Sequence, residues 1–90
     1  MSRTEEQATQ GGESPHADAV FHAYGLTCGS LEPAIRDHLK ALPPGQILEV
    51  RSDEPAAREG VPAWSRLTRY ELLATVREDQ GRTRFYLRAK

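Results

Sequence analysis

The 90 residues contain one cysteine, one tryptophan and one methionine. A single cysteine excludes an internal disulfide, so no covalent staple can stand in for a packed core. With one cysteine and three scattered histidines, no metal-ligand spacing exists, and no glycine-rich phosphate loop is present. Neither a metal nor a cofactor is expected. No apolar run approaches the ~18 residues that a bilayer span requires, and no membrane association is expected. The opening stretch, MSRTEEQATQGGESPHAD, lacks the hydrophobic segment of a secretion signal. A cytoplasmic protein with a reduced thiol is the expectation.

What is present suits one small soluble domain. Hydrophobic residues are 38% and charged residues 28%, both ordinary for a globular chain. The net charge of −1 is unevenly spread. Residues 1–18 hold Arg3 against Glu5, Glu6, Glu13 and Asp18, a balance of −3; residues 19–90 hold eleven Lys/Arg and nine Asp/Glu, a balance of +2. The acidic segment has no hydrophobic periodicity and is rich in Gln, Thr, Gly and Ser. Such a composition cannot offset its ordering entropy, so 1–18 is predicted to be a disordered tail and 19–90 the folded domain.

The domain alternates between two hydrophobic periods. AVFHAY reads as a strand, with Phe21 and Ala23 on one face and Val20, His22 and Tyr24 on the other. From Leu31 the apolar positions are Leu31, Ile35, Leu39 and Leu42, which keep one helix face apolar. Pro43, Pro44 and Gly45 stop that helix. QILEVRS is a second strand, with Leu48 and Val50 opposite Ile47, Glu49 and Arg51. Residues 56–69 read as a helix interrupted early, with Gly60 as its N-cap and Pro62 in its first turn; Val61, Trp64 and Leu67 recur every third residue, and Trp64 is core of this helix or packs at its edge. YELLATVRED and TRFYLRA flank the turn signal DQGR and form a hairpin, with Leu72, Ala74, Val76, Phe85 and Leu87 pointing inward.

The order is therefore β-α-β-α-β-β. Strand-helix-strand favours a parallel crossover, and the last two strands pair antiparallel. The predicted fold is a two-layer α/β sandwich: a four-stranded mixed sheet with both helices on one face. His22, Tyr24, Glu49, Arg51, Thr75, Arg77, Arg84, Tyr86 and Arg88 fall on the opposite face, which is polar enough to meet water. Arginines interleaved with aromatics on a sheet can contact RNA, but they also serve as a solvated face held by cross-strand pairs.

Cys28 falls where the first strand hands over to the first helix. Free amides and the dipole at a helix start favour a thiolate, the form that acts as nucleophile and sulfur acceptor. Gly29 removes a side chain beside the thiol, Ser30 follows, and Glu32 opposes ionisation unless it is turned away or paired. Position alone equally allows Cys28 to be a small buried filler. His22 and His38 are nearby in sequence order, but each reads as a surface histidine.

YGLTC, a helix, LPPGQILEVRSDEPAAREGVPAW, YELLATVRED and GRTRFYLR together resemble the TusA-like (SirA-like) sulfur carriers, from about Phe21 to Arg88. The spacing from Cys28 to Pro44-Gly45 agrees without a gap. The family's Asp-Asp-Pro element stands here as Asp53-Glu54-Pro55, and its Asp-Ile-Pro-x-Trp element as Gly60-Val61-Pro62-Ala63-Trp64. The resemblance implies a fold similar to the C-terminal domain of translation initiation factor three. It also implies that Cys28 takes sulfane sulfur as a persulfide from a cysteine desulfurase or rhodanese-like donor and hands it to an acceptor protein. Gly29, Ser30 and Glu32 are the candidate partner-contacting residues. The competing reading is a non-catalytic binding or regulatory module of the same fold, docking a protein or RNA. The chain departs from the family at two places. Cys28-Gly29-Ser30-Leu31 replaces Cys-Pro-x-Pro, with Pro33 two residues beyond. Arg69-Tyr70 replaces a Gly-His pair before the third strand, where a left-handed turn is harder without glycine.

Overall fold

Strand β1 (Ala19–His22) leads through helix α1 (Cys28–Lys40) to β2 (Ile47–Ser52), and α2 (Ala57–Thr68) leads to the β3 (Glu71–Arg77) and β4 (Thr83–Arg88) hairpin. The computed structural model describes residues 16–90. Residues 1–15 of the acidic segment lie outside the described residues. Asp18 is tied to the sheet: its N–H donates to the Ile47 carbonyl at 2.8 Å, and its carboxylate accepts the Ile47 N–H at 2.8 Å.

The sheet order is β1-β2-β4-β3. β1 runs parallel to β2, with Ala19 opposite Leu48 and His22 opposite Arg51. β4 lies antiparallel between β2 and β3. Leu31, Ile35 and Leu39 of α1 and Ala57, Val61 and Trp64 of α2 pack on Leu48, Val50, Phe85 and Leu87 of the sheet. This is the two-layer sandwich that the alternating periods predict. The four-residue spacing on α1 puts its three buried side chains on one stripe.

Three local expectations are corrected. The first is the inward set of β3. Leu72 faces Leu87, but Ala74 faces Tyr86 and Thr75 faces Phe85, because a β-bulge shifts the register between Leu72 and Ala74. One extra residue reverses the parity of everything after it. Thr75 and Arg77 therefore share the helix-side face with Phe85 and Thr83, while Ala74 and Val76 sit on the open face. Apolar residues at 72, 73, 74 and 76 hide this parity in the sequence.

The second concerns α2. Gly60 is not its N-cap, because the Gly60 N–H already donates to the Ala56 carbonyl at 2.9 Å inside the first turn. The start is set upstream: the Glu54 carboxylate accepts the Ala56 N–H at 3.1 Å, and Ser52 Oγ accepts the Glu54 N–H at 3.1 Å. Pro62 thus lies in the helix interior. Leu67, the last of the residues recurring by threes, is 81% exposed. Six residues at 3.6 per turn rotate Leu67 by about 120° from Val61, and the buried positions are Ala57, Val61, Trp64 and Ser65. Trp64 is core, stacked on Tyr70 with ring centroids 5.6 Å apart.

The third is the open sheet face. Glu49 and Tyr86, directly opposed on β2 and β4, are both buried, at 6% and 1% exposure. Arg51 Nε donates to Glu49 at 2.5 Å, and Arg84 Nη1 donates to Tyr86 Oη at 2.9 Å. Arg84 Nε lies 2.8 Å from Glu78 Oε2. These arginine stems fold back along the sheet and cover its centre instead of extending into water. The hydrogen bond to Glu49 holds the Arg51 guanidinium above its ordinary pKa. Arg51 and Arg84 are consequently half-buried and paired, while Arg77 and Arg88 are exposed.

Candidate functional site

The β1–α1 connection is built from the backbone outward. The Ala23 N–H donates to the Arg51 carbonyl at 2.8 Å, which carries the parallel ladder one residue past β1. Tyr24 and Gly25 then turn the chain, with the Leu26 N–H returning to the Ala23 carbonyl at 3.3 Å. Gly25 has φ +85°, a conformation that glycine adopts without steric cost. Its N–H donates to Asp53 Oδ1 at 2.9 Å. Thr27 is extended, and its carbonyl accepts the Ser30 and Leu31 N–H groups at 3.0 and 2.7 Å. Cys28 is therefore the first residue of α1.

That position has electrostatic consequences. First-turn amides have no intrahelical acceptor, and together they act as about half a positive charge. The Thr27 side chain makes no capping hydrogen bond, so it does not compete for those amides. Gly29 and Ser30 are exposed, and a Cβ built on Gly29 meets nothing within 4 Å. Glu32 is half-buried and lies beyond the first turn, which contains no acidic residue. The four candidate site residues thus lie within the first five positions of one helix. Leu31, where the resembled family has its second proline, is fully buried in the core.

His38 stands apart from this point. His38 follows Cys28 by ten residues on the same helix, a rise of about 15 Å. Its ring stacks on Phe21 with centroids 3.9 Å apart, and Nδ1 lies 2.9 Å from the Ala34 carbonyl. His22 is exposed and leans toward Tyr24 at 6.1 Å. Arg82, from the β3–β4 turn, lies over the Tyr24 ring at 4.7 Å. One residue that touches the candidate site has no role assigned from the sequence: Asp53, whose side chain reaches the β1–α1 turn from the end of the neighbouring strand. The available signal was an aspartate just past one parallel strand and a glycine just past its neighbour.

Residues 23–89 match the family described as Sulfurtransferase TusA. The chain belongs to the TusA family. The match covers every element after β1, including the Gly25 turn, Cys28 and Asp53. Sulfur carrier protein TusA of Pseudomonas putida (strain GB-1) is 32% identical over 73 residues, spanning 81% of this chain and 90% of that protein. The proteins of the same name from Pseudomonas savastanoi pv. phaseolicola and Pseudomonas fluorescens are 30% identical over 78 residues and 28% identical over 74. They cover 87% and 82% of this chain, and 92% and 87% of their own lengths. The TusA resemblance carried by the short sequence elements is thus matched over the length of the domain. Its Asp53-Glu54-Pro55 element acquires a local role: Asp53 holds the Gly25 turn and Glu54 sets the start of α2.

Proposed function

We propose that this TusA-family chain is a sulfur carrier that holds sulfane sulfur as a persulfide on Cys28. The observation that carries the reading is the place of Cys28 as the opening residue of α1 within the family match. The name shared by the relatives, sulfur carrier protein, supports it. A helix start lowers a thiol pKa below the ordinary value of about 8.5. The Cys28 thiolate attacks the outer sulfur of a donor protein's persulfide. A new sulfur–sulfur bond forms at Cys28, the donor's sulfur–sulfur bond breaks, and the donor cysteine leaves as a thiolate. Delivery to an acceptor reverses the roles, with Cys28 now the leaving thiolate. Each transfer is an exchange with no net oxidation.

This chemistry needs no acid–base pair, which agrees with the distance of His38 from the helix start. It requires a sulfur donor and a sulfur acceptor, with contact through Gly29, Ser30 and Glu32. The open approach at Gly29 supports close contact by a partner. Such a protein acts as a carrier rather than a stand-alone turnover enzyme, and a cytoplasmic setting suits its reduced thiol. Among the described residues, no helix is long and apolar enough to cross a membrane.

The test is intact-protein mass spectrometry after incubation with inorganic polysulfide and removal of excess. The expected result is one added sulfur in the wild type and none in Cys28→Ser. Equal loading of both, or of neither, contradicts the carrier assignment and favours a binding module on the same fold.

A further inference from the structure

We propose that Asp53 is a positioning residue for Cys28, acting by holding the Gly25 turn from which α1 starts. The inference rests on the carrier reading of Cys28 given above. Because β1 and β2 are parallel neighbours, the loops that leave their C-terminal ends lie side by side. Beyond the ladder these two loops are joined by the Gly25 N–H donating to Asp53 Oδ1 at 2.9 Å.

The backbone on either side of Asp53 is held. Ser52, on one side of Asp53, is buried and binds the Glu54 N–H; Glu54, on the other, caps the start of α2 through Ala56. The segment that it holds carries a glycine on each side of the thiol. Gly25 lies three residues before Cys28 and Gly29 directly after it, and both positions carry the backbone freedom of glycine. The Thr27 side chain supplies no cap. A charge-assisted bond from Asp53, at the solvent-exposed end of the sheet, thus ties the Gly25 turn to the end of β2. A shift of the Gly25 turn moves the first residue of α1 relative to the helix dipole and to an incoming persulfide.

The experiment compares wild type, Asp53→Ala and Asp53→Asn. Asparagine keeps an oxygen acceptor and loses the charge; alanine loses both. Three quantities are read: the rate of sulfur uptake from inorganic polysulfide, the pH midpoint of Cys28 alkylation by iodoacetamide, and hydrogen exchange of the Gly25 amide. Asp53→Ala is expected to slow uptake by about 10- to 100-fold, the range that lost alignment costs, and to deprotect the Gly25 amide. Asp53→Asn is expected to restore both. The alkylation midpoint of Asp53→Ala is expected above that of Asp53→Asn, although neither carries the charge.

Wild-type uptake in Asp53→Ala, or Asp53→Asn as impaired as Asp53→Ala, overturns the inference while leaving the carrier reading intact. If the wild type itself takes up no sulfur, the carrier reading fails and the alkylation midpoints decide the positioning role; equal midpoints overturn it. Should Asp53→Ala fail to fold, Gly25→Ala makes the test from the other side of the bond. Its added Cβ has open space but sits at φ +85°. Wild-type uptake and an unchanged alkylation midpoint in Gly25→Ala overturn the inference.

Discussion

Replacing Arg69 by glycine should stabilise the domain. Arg69 ends α2 with φ 70° and ψ 16°, in the left-handed region, and its N–H donates to the Ser65 carbonyl at 2.8 Å. A left-handed conformation costs an L-residue about 1–2 kcal/mol because its Cβ crowds the following carbonyl. Glycine removes that cost and keeps the N–H, but it loses about 0.5–1 kcal/mol more backbone entropy on folding. The net gain is about 0.5–1 kcal/mol, which for a domain of this size raises Tm by about 2–8 °C. Arg69 is exposed, so its side chain contributes little packing that could be lost. The assay is thermal unfolding followed by circular dichroism, with Arg69→Ala as the control. Alanine keeps the Cβ and should bring no gain. A Tm for Arg69→Gly at or below wild type, or an equal gain in Arg69→Ala, refutes the strain argument.

Leu39→Ala should cost about 2–5 kcal/mol in denaturant unfolding, because Leu39 is 1% exposed on the inner face of α1; a cost under about 1 kcal/mol would show that the α1 face is misassigned. Leu67→Ser should change stability by less than about 0.5 kcal/mol, as for other exposed positions, since Leu67 is 81% exposed. Glu49→Gln should cost about 1–3 kcal/mol, less than a fully buried pair, because the Arg51 side chain is 35% exposed. An unchanged midpoint would mean that Arg51 gains nothing from the carboxylate.

The architecture was legible where one face of an element is buried and the other is wet. Phe21 against His22, Leu48 against Glu49, and Phe85 against Arg84 show the strand period, and Leu31, Ile35 and Leu39 show the helix period. Legibility failed where both faces carry apolar residues. In Glu71–Arg77 the run Leu72, Leu73, Ala74 conceals which residue is bulged, and so Thr75 and Val76 were expected on each other's faces. On α2, spacing by threes drifts around the helix and carries Leu67 away from the buried stripe. The site was half-legible. The strand-to-helix junction placed Cys28, Gly29 and Ser30 at the helix start. The Asp53–Gly25 bond joins residues 28 apart in sequence, and no local pattern encodes such a pairing. The burial of Glu49 and Tyr86 was hidden for a related reason: flexible arginine side chains cover them, and composition does not show where such stems lie.

The central claim is that Cys28 carries sulfur, and loading by inorganic polysulfide tests it most directly. Intact-mass measurement after desalting should show one added sulfur on the wild-type chain, lost on treatment with a reducing thiol. Cys28→Ser should show none under the same treatment. A wild-type chain that stays at its unmodified mass, or a Cys28→Ser chain that gains the same sulfur, contradicts the account.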